Sequence, residues 1–567
     1  MHSKAVGCRR TRRDFLAASA TSLLALAGAP ALVLRRAEYD LVLRGGTVFY
    51  GTGTAGVERD LAITGGRIVA VAPRIAERGT EEINARGLAV APGFIDIHSH
   101  GDGSLAEDPR AESLVRQGIT TIVVGQDGSS RAPSRSPGGG AAGGAGAARA
   151  GAESGSRSPQ SFTELFAELD RLHPAVNVAS MVGLGGVRGI VVGDTDRPAT
   201  ADELRRMTAM VEEALAQGAC GASSGLEYTP GAFASLDELV ALCKPLAARG
   251  LPYATHMRNE DDRLLEAIDE SIAVARGARC PLQIAHLKTQ GPRNWRKLDD
   301  VFARIAAARR DGLDVAFDRY PYIAYQTGLT NLFPVWSRDG GTDAFLARLA
   351  DSSTAPRIRA EALAKVELIG GWNNVHIAGV RASEDKPAEG KRLGAYASSV
   401  GLDPYALTVA MLARNRASVG MVGFAMSEEN LDRILAHPRG MVCSDGGSFA
   451  IEGPTRRGSP HPRGLGTFPR VLARYVRERR ALTLEQAIHK MTALPASRVR
   501  LRDRGRLAVG LAADVVVFDP ARVEDRATYE EPFQYPVGVT VVVVNGVLAL
   551  RDGQRAVQGD GRALKPA

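Results

Sequence analysis

Cysteine is scarce, with five in 567 residues at positions 8, 220, 243, 280 and 443. Their wide, irregular spacing gives neither a disulfide framework nor a zinc-knuckle pattern, so buried free thiols are the plain expectation. Aromatic residues make up only 5% of the chain, and no basic stretch is interleaved with them, so no nucleic-acid surface is implied. Charge of one sign is not in large excess either. The formal net charge is +8, and the first 31 residues, with Lys4, Arg9, Arg10, Arg12 and Arg13 against Asp14, hold half of it. Past the N-terminus no apolar run is long enough to span a bilayer, which argues against a stable membrane anchor. No internal repeat is evident. What is present is the composition of a soluble globular protein, 44% hydrophobic and 24% charged, in a chain long enough for one large domain and a smaller one.

The opening RRTRRDFLAASATSLLALAGAPALV has the order of an export signal: a basic region at Arg12–Arg13, a short apolar stretch from Phe15 to Ala29, and small residues at Ala29 and Ala31. Its TRRDFLAA core resembles the twin-arginine type, whose machinery exports folded proteins. Residues 1–31 are therefore expected to be a leader, and the mature protein periplasmic or secreted. After it, YDLVLRGGTVFY and DLAITGGRIVAVAP alternate apolar residues around Gly-Gly turns, as β-hairpins do. ADVVVFDP and VTVVVVNGVLALRDG repeat the pattern near the other end, with Asn545-Gly546 as a tight turn. Neither set can build a good core alone, so residues 32–90 and 501–560 are expected to join in one small β-sandwich.

Between them, residues 91–500 alternate short apolar strands with helical stretches. The strands end GFIDIH, GITTIVVG, VNVASMVG, GACGASSG, LPYATH, PLQIAH, DVAFDRYP and GMVCSD. In DRLLEAIDESIAVARG the residues Leu264, Leu265, Ile268, Ile272 and Ala275 share one stripe. Eight strands alternating with helices predict a (β/α)8 barrel of the TIM type, whose chemistry sits at the C-terminal strand ends. Residues 129–160, rich in Gly, Ala, Ser, Arg and Pro, cannot bury a core and read as a mobile loop. Residues from about 325 to 439 read as a helical excursion over the barrel mouth.

The candidate chemistry falls at those strand ends. PGFIDIHSHGD carries His98 and His100 one residue apart, with Asp96 in step on the same face of an extended chain. Strand five ends at His256, strand six brings His286, and MVCSDGG brings Asp445. Four imidazoles and a carboxylate around one barrel mouth are suitable ligands for zinc or a related divalent ion. Lys288 follows His286 by two and shares its face on a strand.

This constellation resembles the amidohydrolase superfamily: a paired-histidine motif on strand one, single histidines on five and six, an aspartate on eight. Within it the chain is similar to the N-acyl-D-amino-acid deacylases, or D-aminoacylases, from about Tyr39 to Gly546. The stretches GASSGLEYTPGAFAS, THMRNEDDRLLEAIDES, IAHLKTQGPRNW, FDRYPYIAYQTGL, HPRGLGTFPRVLARYVRE and LTLEQAIHKMTALPASR carry that similarity. The resemblance implies hydrolysis of the amide bond of a small N-acyl-D-amino acid, with one tightly held zinc and a weaker second position. It implies that His256 and His286 hold metal, that His98 and His100 complete a second site or polarise the carbonyl, and that Asp445 carries the proton. It places Lys288 and Tyr228 at carboxylate-binding positions, with Tyr320 and Arg463 as further candidates.

Two positions depart from the family. Its strand two ends in a Gly-Asn-Cys-Gly turn whose cysteine is a metal ligand; here VVGQDGSS puts Asp127 in that place. A carboxylate can bind or bridge divalent ions as a thiolate can but is a harder ligand, so Asp127 is expected to keep a metal while shifting preference away from pure zinc chemistry; the alternative is an aspartate that caps the turn. The family's histidine after Gly183 is Leu184 here. Two rivals therefore stay open: a hydrolase of cyclic amides or dipeptides using the same machinery, and a periplasmic binding protein with a degenerate site.

Overall fold

The computed structural model describes residues 38–134, 159–555 and 559–567. The leader expected at residues 1–31 lies outside them, as does most of the segment 129–160. The N-terminal part holds β1 (Tyr39–Val48), β2 (Val57–Thr64), β3 (Arg67–Ala72), β4 (Gly79–Asn84) and β5 (Ala89–Pro92). β2 turns into β3 through Gly65 and Gly66, at φ 57° and 74°. A two-residue hairpin turn of the primed kind needs positive φ at both positions.

Only Gly93 separates β5 from β6 (Phe94–Asp96), which runs parallel to β7 (Ile119–Val124) and β8 (Asn177–Ser180) in a three-stranded sheet. A Cβ on Gly93 would collide with the Thr120 side chain, so the strand passes its neighbour closely only with glycine there. After Met181 come β9 (Val182–Gly183), β10 (Ala222–Gly225), β11 (Tyr253–His256), β12 (Leu282–Ile284) and β13 (Val315–Arg319), paired parallel in sequence order. Every residue of β7 and β10 to β13 is buried, as in parallel strands covered on both faces. All eight parallel strands read from the sequence are present, the third divided into β8 and β9.

Helices cover these strands. Ala201–Gln217 begins with a capping box between Thr200 and Glu203 and stops at Gly218, φ 117°. Leu264–Ala278 buries Leu264, Ile268, Ile272 and Ala275, with Leu265 at the margin of the stripe. The excursion after β13 is not wholly helical, which corrects the reading of residues 325–439. Besides five α-helices it carries β14 (Ala324–Gly328), β15 (Val375–Gly379) and β16 (Gly420–Phe424), an antiparallel sheet with β16 in the middle. AYQTG, VHIAG and GMVGF are five-residue strands with glycine inside or at the end, too short to announce a period of two.

The chain then returns through β17 (Gly440–Val442), which pairs with β13. The last strands are β18 (Val515–Phe518), β19 (Val539–Val544), β20 (Val547–Arg551) and β21 (Gln554–Arg555). β18 pairs antiparallel with β5, so both chain ends share one nine-stranded sheet. Asn545 and Gly546 make its expected tight turn at φ 49° and 88°. Phe94 of β6 stacks on Phe468 at 5.6 Å and meets Phe518 of β18 at 6.1 Å, welding this sheet to the parallel one. The four cysteines of the described residues are buried and unpaired. Among those residues no helix is long and apolar enough to cross a membrane.

Candidate metal centre

Six side chains meet where the parallel strands end. His98 and His100 follow β6, Asp127 follows β7, His256 closes β11, His286 follows β12 and Asp445 follows β17. His98 Nε2 lies 3.4 Å from His100 Nε2, and Asp445 Oδ1 lies 3.5 and 3.1 Å from those two nitrogens. On the other side His256 Nδ1 and His286 Nε2 are 2.9 Å apart. Asp127 stands between the pairs. Its Oδ1 is 3.5 Å from both His98 Nε2 and His286 Nε2, and its Oδ2 is 3.3 Å from His100 Nε2 and 3.9 Å from His256 Nδ1. Of three groups able to hold an ion among the described residues, two share Asp127, namely His98–His100–Asp127–Asp445 and Asp127–His256–His286, and the third is Glu227–His256–Glu260. Asp127 thus lies within reach of all four imidazoles. Its buried Oδ1 has no hydrogen-bond donor among the described residues, an orphaned acceptor facing imidazole nitrogens.

Electrostatics says the same. Burial opposes charge on His100, yet Asp127 and Asp445 raise its pKa to about 9; His98, also buried, is lifted well above its ordinary value by the same carboxylates. Burial likewise opposes ionisation of Asp127, and His98, His286 and His100 overcome it, holding the carboxyl well below the usual range. Asp445 is depressed too, against burial, chiefly by Arg463 and His98. Acids buried this deeply need positive charge, and protons on the imidazoles supply it where no ion does.

Around the six sits a ring of partners. Asp96, in step with the histidines, turns away and accepts the Ser444 N–H at 2.8 Å and the Ser444 hydroxyl; burial pushes its carboxyl up to about 7. Asp318 lies 3.5 Å from His98 Nδ1 and accepts the His286 N–H at 2.8 Å. Glu260 accepts from Lys288 Nζ at 2.6 Å and Gln290 Nε2 at 2.7 Å, and Lys288 Nζ also lies 2.6 Å from His286 Nδ1. Glu227 lies 3.5 Å from His256 Nε2 and accepts from Asn331 at 2.8 Å.

A narrow cleft opens onto this centre. Every expected site residue except His98 lines it, including Lys288, Tyr228, Tyr320 and Arg463. His98 is fully buried behind the others. Arg463 Nη1 donates to Asp445 Oδ2 at 2.6 Å, and its guanidinium lies 4.8 Å over the Tyr320 ring. The Tyr228 hydroxyl is 3.1 Å from Thr327 Oγ1, whereas the buried Tyr320 hydroxyl has no partner among the described residues. Leu184 opens the helix Leu184–Val191 and is buried in the core. Sequence reasoning passed over Glu227, Glu260 and Asp318. Their signals were slight: Glu260 follows His256 by four, Glu227 precedes Tyr228, and Asp318 sits on β13 where no histidine marks the strand.

Parallel strands with helices between them, and a histidine–carboxylate centre at their C-terminal ends, define the amidohydrolase class. The chain belongs to the Amidohydrolase family, whose sequence profile matches residues 81–396 and 455–549. It is 38% identical to the N-acyl-D-glutamate deacylase of Alcaligenes xylosoxydans xylosoxydans over 90% of this chain and 93% of that one. With D-aminoacylase of the same organism it shares 34% over 93% of this chain and 97% of the other. The crystal structure of N-acyl-D-glutamate deacylase from Bordetella bronchiseptica, complexed with zinc and a phosphonate mimic of the tetrahedral intermediate, superposes with a TM-score of 0.79 at 35% identity. That match covers 93% of this chain and 99% of the other.

Proposed function

We propose that this protein is a zinc-dependent hydrolase of the amide bond of N-acyl-D-amino acids, releasing a D-amino acid and a carboxylate. The convergence of four imidazoles, Asp127 and Asp445 on one centre carries the reading. Similarity to deacylases of N-acyl-D-amino acids over nine-tenths of the chain gives it a substrate. Imidazole nitrogen and carboxylate oxygen suit zinc, and Asp127 adds a harder donor than the thiolate of the resembling family.

In the protein, Asp127, His256 and His286 would hold one ion, and His98, His100, Asp127 and Asp445 a second. A bound zinc supplies Lewis acidity, which polarises a carbonyl and brings the pKa of a water to ~7. The chain supplies the rest. Arg463 engages Asp445 Oδ2 and keeps the carboxylate ionised, and Oδ1, 3.1 Å from His100 Nε2, takes the proton of the attacking water and returns it to the leaving nitrogen. The Tyr320 hydroxyl, in the cleft wall without a partner among the described residues, and Tyr228 are placed to donate to the substrate. Lys288 anchors the substrate carboxylate through a donor left over from Glu260 and His286.

We read the eight parallel strands as one closed (β/α)8 barrel. Support comes from Met181, the single residue between β8 and β9, and from the bonds across the remaining edge, Asp445 N–H to the His98 carbonyl at 2.8 Å and His100 N–H to the Gly446 carbonyl at 2.9 Å. A sandwich for the terminal strands is favoured by one apolar cluster that takes Leu41, Leu61, Ile83, Val515 and Val541 from both halves of their sheet. The domain limits given above go with this reading, as does export by the twin-arginine machinery to the periplasm or beyond.

The test is zinc analysis joined to turnover of a panel of N-acyl-D- and N-acyl-L-amino acids, hydantoins and dipeptides. Turnover confined to N-acyl-D-amino acids, with zinc bound, is expected. Hydantoin or dipeptide turnover without deacylation favours the rival hydrolase; absence of ion and of hydrolysis after added zinc, cobalt or manganese favours the binding protein.

A further inference from the structure

His98 is fully screened from solvent, and its orientation rests on what lies beneath it. A buried polar chain descends from it between β12 and β13. Asp318 Oδ1 lies 3.5 Å from His98 Nδ1, within ion-pair distance of a nitrogen that has no hydrogen-bond partner among the described residues, and Asp318 Oδ2 accepts from Gln283 Nε2 at 2.7 Å. Gln283 Oε1 in turn accepts from Arg498 Nε at 3.0 Å. Arg498, at the end of the helix Ala493–Arg498, is fixed by Asp314 Oδ2 at 2.7 Å and by the Leu282 carbonyl. All four residues of this chain are buried.

Donor and acceptor rules leave this chain one polarity. A guanidinium only donates, so the Gln283 carbonyl must face Arg498 and its amide nitrogen must face Asp318. An ionised carboxylate only accepts, so Asp318 can tolerate His98 Nδ1 only as N–H. In a neutral imidazole with Nδ1 protonated, Nε2 carries the lone pair, and Nε2 is the nitrogen turned to His100, Asp127 and Asp445. We propose that Asp318, locked by Gln283 and Arg498, is a positioning residue that fixes the His98 tautomer and presents Nε2 to the ion. The proposal rests on the metal-dependent reading above, and it assigns a role to a glutamine and an arginine that never touch the cleft.

Three variants test it: Asp318→Asn, Gln283→Glu, and the two together. In Asp318→Asn the new amide nitrogen must face either Gln283 Nε2 or the N–H groups of His98 and His286, donor against donor. In Gln283→Glu two carboxylates confront each other. In the double variant the carboxylate introduced at position 283 accepts from Arg498 and from the amide introduced at position 318. The carbonyl of that amide then turns to His98, with the buried charge unchanged. The measurement is cobalt(II) binding to the metal-free full chain, by equilibrium dialysis and metal analysis, with visible absorption as the signature of coordination. Each single variant is expected to weaken one of two ions by about 10- to 100-fold, the usual effect of losing such an outer partner, while the other stays at parental affinity. The double variant is expected to recover most of the loss and the parental absorption band. Single variants that fold and bind both ions as the parent does overturn the proposal, as does a double variant no better than the singles. Should a single variant not fold, the absorption of the double variant decides: a parental band supports the proposal and a missing one overturns it. Failure of the parent itself to bind any ion sinks the hydrolase reading instead.

Discussion

Stripping the ion should leave protons in its place, and their number follows from the geometry. His100 sits between Asp127 at 3.3 Å and Asp445 at 3.1 Å and has its pKa raised to about 9; His98, between the same acids, is raised as well. At pH 7 a group with a pKa of about 9 is about 99% protonated, so filling the His98–His100 group must expel the His100 proton, and His98 is shifted in the same direction. Each expelled proton steepens apparent affinity by about tenfold per pH unit, so His100 alone gives about tenfold between pH 6.5 and 7.5. The assay is titration calorimetry of zinc into chelator-stripped protein in buffers of different ionisation enthalpy, where the dependence of observed heat on the buffer counts protons. His100→Asn should lower that count by about one. The sign for stability follows too. A raised imidazole pKa stabilises the stripped fold fully below the ordinary value of 6.5, and that contribution fades as pH climbs through about 9. Between pH 6.5 and 8.5 the loss from His100 is about 2 kcal/mol, an upper bound because its side chain is still 18% exposed. No proton release at pH 7, or the same release from His100→Asn, would refute the view that carboxylates and ion compete for these imidazoles.

Asp445→Ala is expected to cut kcat by about 10²- to 10⁴-fold while the ion on Asp127, His256 and His286 stays bound; undiminished turnover rules out its role as proton carrier. Asp127→Ala should deplete both ions together, because both groups share it, whereas Asp127→Cys should keep them. Metal analysis that finds the same content in all three proteins leaves Asp127 without a ligand role. Phe94→Ala removes a fully buried ring held between Phe468 and Phe518, and thermal denaturation should register a cost of about 3–5 kcal/mol; a change under about 1 kcal/mol means the two sheets are not joined there.

The parallel strands were legible because seven of the eight are short runs ending in a histidine, an aspartate or a glycine and the other, DVAFDRYP, stops at a proline, and the helices between them carry a clean stripe such as Leu264–Ile268–Ile272. Two of the three tight turns read from the sequence were legible because Gly65-Gly66 and Asn545-Gly546 are among the few pairs that accept positive φ twice running; Gly45-Gly46 lies instead inside β1, where a bulge shifts the register with β2 and no hairpin turns. The sheet inside the excursion was not, since β14, β15 and β16 pair across long stretches and only the fold sets them side by side. Ligand candidates could be read because histidines are few and fall at strand ends. Their supports could not: Asp318, Glu227, Glu260 and Gln283 are ordinary residues in one dimension, and become partners only when neighbouring strands bring them within a hydrogen bond.

The backbone itself marks the centre. Asp127, His286 and Asp445 have φ of 53°, 34° and 49°, the left-handed region that non-glycine residues enter at a cost of order 1–3 kcal/mol. Most other non-glycine residues with such angles close helices or turns, as His173, Arg279 and Asn545 do, where a local cap repays the strain. The three in the cleft have no such excuse. Each follows a parallel strand and is pinned by its neighbours: Gly225 admits no Cβ beside the Asp127 carbonyl, Asp318 takes the His286 N–H, and the His98 carbonyl takes the Asp445 N–H. The strands thus hold three side chains in a conformation that the chain alone would avoid, turning them from the strand direction into a common point. An ordinary extended backbone would alternate them outward and inward, and the six donors would not meet.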